Sequence, residues 1–263
     1  MRKLWTVVAA PSMISEPPQW RTSIEEMWII DLADFSSVRK FADKFERDGG
    51  CPGILVENAA IGSFKYEATK DNWDIFLQVN HLYTSLLALF LLPFMIKTAE
   101  KHSTTLRLVV VSNKLHNVVK MDKKTSVDPH ILETLESAEY CTDKNMEERY
   151  QLTKLFNVFF VRALNARLSP STPPPLIINA VNPGYCYSDL RREYSGMRAV
   201  IDWFLEKALA FSAEMGSRRL IWAALAHQDR PDKLRGEYLS SFEVREVSDL
   251  VLSPEGVKIQ DRS

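Results

Sequence analysis

Tyr150 and Lys154 stand four residues apart in the run Tyr150-Gln151-Leu152-Thr153-Lys154. On a helix that spacing puts a phenol and an ammonium on one face, one turn apart. A free phenol has a pKa of about 10 and is a poor acid–base group at neutral pH. A cation held beside it stabilises the phenolate and lowers that value. Such a pair can pass a proton to a carbonyl oxygen while hydride arrives from a nicotinamide, and the ammonium can also hold a ribose hydroxyl. The same spacing occurs on ordinary solvated helix faces, and the chain has eight tyrosines, so the pair gains meaning only from its surroundings.

Other chemistries find less support. Ser112 and His116 are four apart, but no Gly-x-Ser-x-Gly elbow accompanies them. The five histidines show no metal-ligand spacing, and the three cysteines (Cys51, Cys141, Cys186) are scattered and odd in number. No metal site is expected, and a reduced, cytoplasmic setting is. With a net charge of -1 and mixed signs along the chain, there is no electrostatic case for nucleic acid or an anionic membrane. Arg2 and Lys3 precede an apolar run from Leu4 to Ala10 that sits at the short limit of a secretory leader, with Pro11 awkward for cleavage. Leu82 to Ile96 is apolar but shorter than a membrane span and interrupted by Pro93, so a buried helix is expected there.

The elements that must position the pair alternate between strand and helix. Strands are expected at Met27–Ile30, Ile54–Val56, Leu106–Val111, Leu176–Val181 and Tyr238–Leu239. Helices are expected from Ser36, as cap, to Glu46, closed by Gly49-Gly50, and over 71–98, 148–168, 197–211 and 213–226. Alternation at this spacing implies right-handed βαβ units and a doubly wound parallel sheet in a single α/β domain spanning 1–263. Asp31, Asn58, Ser112-Asn113 and Asn182-Pro183-Gly184 end the strands, where the functional crevice of such sheets lies. The polar stretch 118–147 is expected as a cover over that crevice.

Six stretches match one family in order and spacing: Asp31 to Val38, Leu55 to Ala60, Val79 to Leu82, Arg107 to Ser112, Tyr150 to Lys154, and Asn182 to Ser188. With these the chain resembles the short-chain dehydrogenases/reductases, particularly the retinol-dehydrogenase-like members common in fungi. The resemblance implies a Rossmann-like fold. It implies Tyr150 as catalytic acid–base, Lys154 as its tuner and as ribose ligand, and Asn80 as holder of a proton-relay water. It implies Asp31 beside the adenine, Asn58 and Ala59 bracing the adenosine side, Pro183 bordering the cofactor, and Ser188 at the carboxamide. Bland readings stand beside these: Asp31 as a helix cap, Asn58 as a turn residue, Asn80 as a satisfied core amide.

The sequence departs from the family at two places. The catalytic serine position holds Asn113 in the pair Ser112-Asn113, and strand alternation turns Ser112 the other way. An amide can still donate to a developing oxyanion. The family's first strand and Gly-rich turn have no counterpart, since no glycine precedes Gly49. Residues 1–26 look like an atypical remnant, in which Leu4–Ala10 matches the family's second strand or fills the vacated central slot. The chain is then either a truncated reductase or a protein that abandoned dinucleotide binding.

The reading carried forward is reversible carbonyl–alcohol interconversion with NADP or NAD on an apolar small molecule, of the secondary-metabolite kind. The alternatives are a redox-silent binding protein, isomerase or cyclase on the same scaffold, and a partner of a full-length paralogue. A homodimer through the Leu82–Phe94 and Tyr150 helices is also expected.

Overall fold

The computed structural model describes residues 5–9, 26–48, 53–62, 64–168, 176–191, 194 and 196–263. Strands β1 (Trp5–Ala9) and β2 (Glu26–Ile30) form an antiparallel pair. The main sheet runs β3 (Ile54–Glu57), β4 (Leu106–Val111), β5 (Leu176–Asn182), β6 (Tyr238–Ser240), β7 (Glu243–Arg245) in that order, parallel except for the last hairpin. β4 and β5 are buried along their whole length. That is the environment that selects continuous Val/Ile/Leu runs in a parallel sheet. β7 had no usable signal in the sequence, because it is three exposed residues long with a single apolar residue, Val244.

Helix α1 (Phe35–Arg47) turns Val38, Phe41, Ala42 and Phe45 inward, as the spacing predicts. Its cap is Asp34, whose carboxylate accepts from the Ser36 amide, rather than Ser36 itself. Gly49 and Gly50, expected to close it, lie outside the described residues, as do Pro173 to Pro175. The long helix α2 (Ile75–His102) is continuous and contains a π-turn at Gln78–Leu82. It is long and apolar enough to cross a bilayer, but Leu87, Leu91 and Met95 are buried in the protein's own core. Helix α3 (Arg149–Leu168) packs against it and against β5.

β2 does not join the main sheet, contrary to the expected parallel arrangement. Among the described residues β2 pairs only with β1 and β3 only with β4, so each keeps one edge unpaired. β1 pairs with β2 and therefore does not fill the central slot. Trp28 on β2 is fixed instead by edge-on contacts to Phe41 and Phe45.

The 118–147 segment contributes no lining residue to the crevice, contrary to its expected role as a cover. It forms short helices at Lys123–Ser126, Ile131–Glu136 and Asp143–Glu147, and buries Ile131, Leu135 and Met146 in the core. Apolar residues at those positions gain more from burial than from roofing a wet crevice.

Arg149 on α3 ties that helix both to the start of α2, through a buried ion pair, and to this segment. Arg149 donates from Nε to Asp74 Oδ2 at 2.7 Å, with both side chains almost fully enclosed. The same guanidinium donates to the Leu135 carbonyl and contacts Cys141 Sγ at 3.2 Å. Removing one partner strands the other charge in the interior. Asp74→Ala is therefore expected to lower the unfolding free energy by roughly 3–5 kcal/mol in urea denaturation. A loss below about 1 kcal/mol would show that the pair is not enclosed in solution.

Candidate active site

The carboxyl ends of β3 to β6 open into a crevice of about 1230 Å³. That exceeds the roughly 300–1,000 Å³ that a single small ligand fills. Its walls come from the Asn58–Gly62 loop, the end of β4 with Asn113 to Leu115, Tyr150 and Lys154 on α3, and the Asn182–Arg191 loop. Of the residues singled out in the sequence, Asn58, Ala59, Asn113, Tyr150, Lys154, Pro183 and Ser188 all face this space.

Asp31 is not among the lining residues. Its carboxylate accepts from the Ala33 amide at 3.1 Å, and its own amide donates to Ser37 Oγ at 2.9 Å. It shapes the turn into α1 but does not cap that helix, a role Asp34 takes, so Asp31 serves as neither helix cap nor crevice residue. The cause is the separation of β2 from the main sheet described above.

Lys154 is nearly fully enclosed and donates from Nζ to the Val111 carbonyl at 2.9 Å. Its nitrogen lies 5.7 Å from the Tyr150 ring centroid. Burial pushes this amine down to about 7. Burial also pushes the Tyr150 phenol up to about 12, opposed by a hydrogen bond from the Asn113 side chain. The sequence argument expected the ammonium to lower the phenol. In this crevice desolvation outweighs that effect, and the Lys154 nitrogen is aimed at a carbonyl rather than at the phenol oxygen.

Asn113 lines the crevice just beyond β4, at the position matched to the family's serine by resemblance. Its Oδ1 accepts from the Leu115 amide at 2.7 Å, which leaves Nδ2 to serve the Tyr150 hydroxyl. Ser112 points away and donates to the Lys154 carbonyl at 2.8 Å, as strand alternation requires. His116 fixes the Asn113 main chain through Nδ1, 2.7 Å from the Asn113 carbonyl. A carbonyl can only accept, so Nδ1 carries the proton, and burial holds the ring toward its neutral form.

Asn80 sits in the π-turn of α2, a distortion common at functional sites. Its side chain accepts from the Ile61 amide at 2.8 Å and donates to the Ile61 carbonyl at 3.0 Å and to Thr153 Oγ1 at 3.3 Å. The amide is spent on bracing the Asn58–Gly62 loop against α3, so it has little left for a water. Its main-chain carbonyl accepts from Asn157 Nδ2 at 3.0 Å.

Sequence reasoning missed Asn157, which also reaches the Val111 carbonyl at 3.3 Å and lies 3.1 Å from His81 Nδ1. The available signal was an amide at i+3 from Lys154 on an otherwise apolar helix face. It also missed Arg219, which donates to the Pro183 carbonyl at 2.8 Å and so holds the Asn182–Gly184 turn. Gly184 has φ +88°, and a side chain there would collide with that guanidinium.

No family model matches the chain. It is 31% identical over 240 residues to the short chain dehydrogenase/reductase dmxR8 of Cryptosporiopsis sp. (strain 8999), covering 91% of this chain and 71% of that one. It is 33% identical over 250 residues to the short chain dehydrogenase atnD of Emericella nidulans, covering 90% and 76%. Among solved structures, the NADPH-bound carbonyl reductase from chicken fatty liver superposes with a TM-score of 0.53 at 15% identity, over 82% of this chain and 75% of that one. The carbonyl reductase Sniffer of D. melanogaster gives 0.53 at 15%, over 83% and 76%. These structural likenesses establish the fold. Together with the two fungal relatives, they show that the chain belongs to the short-chain dehydrogenase/reductase family.

Two buried groups beside this site set opposing pH dependences. Glu57, at the end of β3, is hydrogen-bonded to Tyr83, and burial pushes it from 4.5 up to about 8. Between those values the folded chain binds the extra proton, so stability falls as pH rises. Lys154 falls from 10.5 to about 7, so between those values the unfolded chain binds the extra proton and stability rises with pH. Each group contributes a slope of up to about 1.4 kcal/mol per pH unit. In urea titrations across the pH range, Glu57→Gln is expected to remove the fall below pH 8 and Lys154→Met the rise above pH 7. Parallel curves for the protein and both variants would contradict the assignment.

Proposed function

We propose that this chain interconverts a carbonyl and an alcohol on an apolar small molecule, with NADP or NAD as hydride partner. The observation that carries this reading is the Tyr150 hydroxyl, hydrogen-bonded to Asn113 and set beside the buried Lys154 nitrogen in one crevice. Tyr150 donates its proton to the substrate oxygen in reduction and takes it back in oxidation. Asn113 holds the phenol and offers an amide donor to the oxygen as charge develops on it. Lys154 supplies the cation that makes loss of the phenol proton tolerable once it is protonated.

The nicotinamide–ribose end fits these residues. Lys154 would hold the ribose and Ser188 the carboxamide, with Pro183 bordering the cofactor and Asn58 and Ala59 toward its adenosine side, all on the wall of one crevice. The group supplies hydride when bound. The described residues show no Gly-rich turn for its pyrophosphate. That observation, with Asn113 in the serine position, favours as a second reading a redox-silent family member that uses the crevice for binding. The wider role in secondary-metabolite chemistry rests on the likeness to fungal relatives.

Tyr150→Phe is expected to lower turnover of a ketone substrate by about 10²–10⁴-fold with little change in KM. Asn113→Ala should cost on the order of a hundredfold, and Asn113→Ser should raise turnover above that of the unaltered protein. Undiminished turnover in Tyr150→Phe would remove the proton donor and with it this reading.

A further inference from the structure

We propose that the helix at the crevice mouth, α4 (Gly196–Leu209), docks the protein on the surface of a lipid bilayer. In a water-facing helix of a globular protein the apolar stripe faces the core and the charges face solvent. Here the order is reversed. Asp202 and Glu206 face inward, where Arg191 donates to both at 2.9 and 2.8 Å and Tyr185 donates to Asp202 at 2.8 Å. Arg191 is mostly enclosed by these pairs and stacks 4.4 Å over the Tyr185 ring.

The opposite face is Met197, Val200, Ile201 and Phe204, flanked by Trp203. All five are exposed, with Met197 at 73% and Phe204 at 61%. Exposed apolar side chains scattered singly are ordinary, whereas a contiguous stripe over about two turns marks an interaction surface. The inward anchoring of the acids says what kind of surface. Among the described side chains of this helix, the charge left outside is Lys207, beside the stripe. Both carboxylates that would repel an anionic headgroup are withdrawn. An apolar face with Trp and Phe, bordered by a cation, is the composition of a helix lying in the membrane interface.

Fourteen residues make a helix of about 21 Å, too short to span a bilayer of about 30 Å and suited to lying along it. The net charge, which argued against membrane binding, is blind to this arrangement because the interaction is apolar and local. Phe211, just beyond the helix, lines the crevice and is itself exposed. The docked face therefore adjoins the entrance used by an apolar ligand.

The test is flotation of the purified protein with vesicles of phosphatidylcholine, and of phosphatidylcholine mixed with phosphatidylserine. The protein should float with both, and more with the second. Ile201→Ser combined with Phe204→Ser should lower the bound fraction at least about tenfold on both. Lys207→Glu should abolish only the preference for the anionic vesicles. Leu252→Ser, at an exposed apolar site elsewhere, should bind as the unaltered protein does. These side chains are exposed, so circular dichroism should be unchanged in every variant. Failure to float, or equal flotation of the double variant, overturns the proposal. So does size-exclusion showing a dimer that the double variant splits, since that gives the face to a second copy. None of these readouts depends on the proposed redox activity.

Discussion

An amine sealed inside a protein needs a hydrogen-bond acceptor fixed in front of it, and in this chain that acceptor is the Val111 carbonyl. The last residue of β4 and the second turn of α3 are locked together by Lys154 Nζ, by Asn157 Nδ2 on the same carbonyl, and by Ser112 Oγ on the Lys154 carbonyl. These contacts set where Tyr150 emerges into the crevice. Asn80 then fixes the opposite wall to the same helix through Ile61 and Thr153. The frame is polar and buried, so each missing partner would cost more than an exposed bond would gain. A frame of this kind holds a site at fixed geometry even where the outer sheet is incomplete.

The incompleteness is confined to one side. β4 and β5 carry full parallel pairing, and the crevice stands at their ends. The unpaired edge of β3 and the separation of β2 fall on the side where the adenosine part of a dinucleotide would lie by family likeness. Asn113, Tyr150, Lys154 and Ser188 line the crevice, while Asp31 is left outside it.

Much of this was legible in the residues. Apolar runs such as Leu106–Val111 have no alternation to misread, and α1 and α3 follow from helical spacing because their inward faces are aromatic and aliphatic. The assignment of Asn113 came from the family's serine position, and strand alternation turned Ser112 away from it. What stayed hidden depended on tertiary context. Whether a cation lowers a phenol or burial raises it depends on depth, which spacing does not encode. The fate of 118–147 turned on three apolar residues in a polar stretch, Ile131, Leu135 and Met146. The inversion of α4 was invisible because Arg191, Asp202 and Glu206 read as solvent charges until their pairing is seen.

Lys154, at the base of this crevice, is the residue proposed above to hold a nicotinamide ribose. Fluorescence titration of NADPH with the purified protein probes that role. Saturable enhancement of nicotinamide emission that is lost in Lys154→Ala is expected. No change in emission up to millimolar cofactor, or a titration indifferent to Lys154, would contradict it.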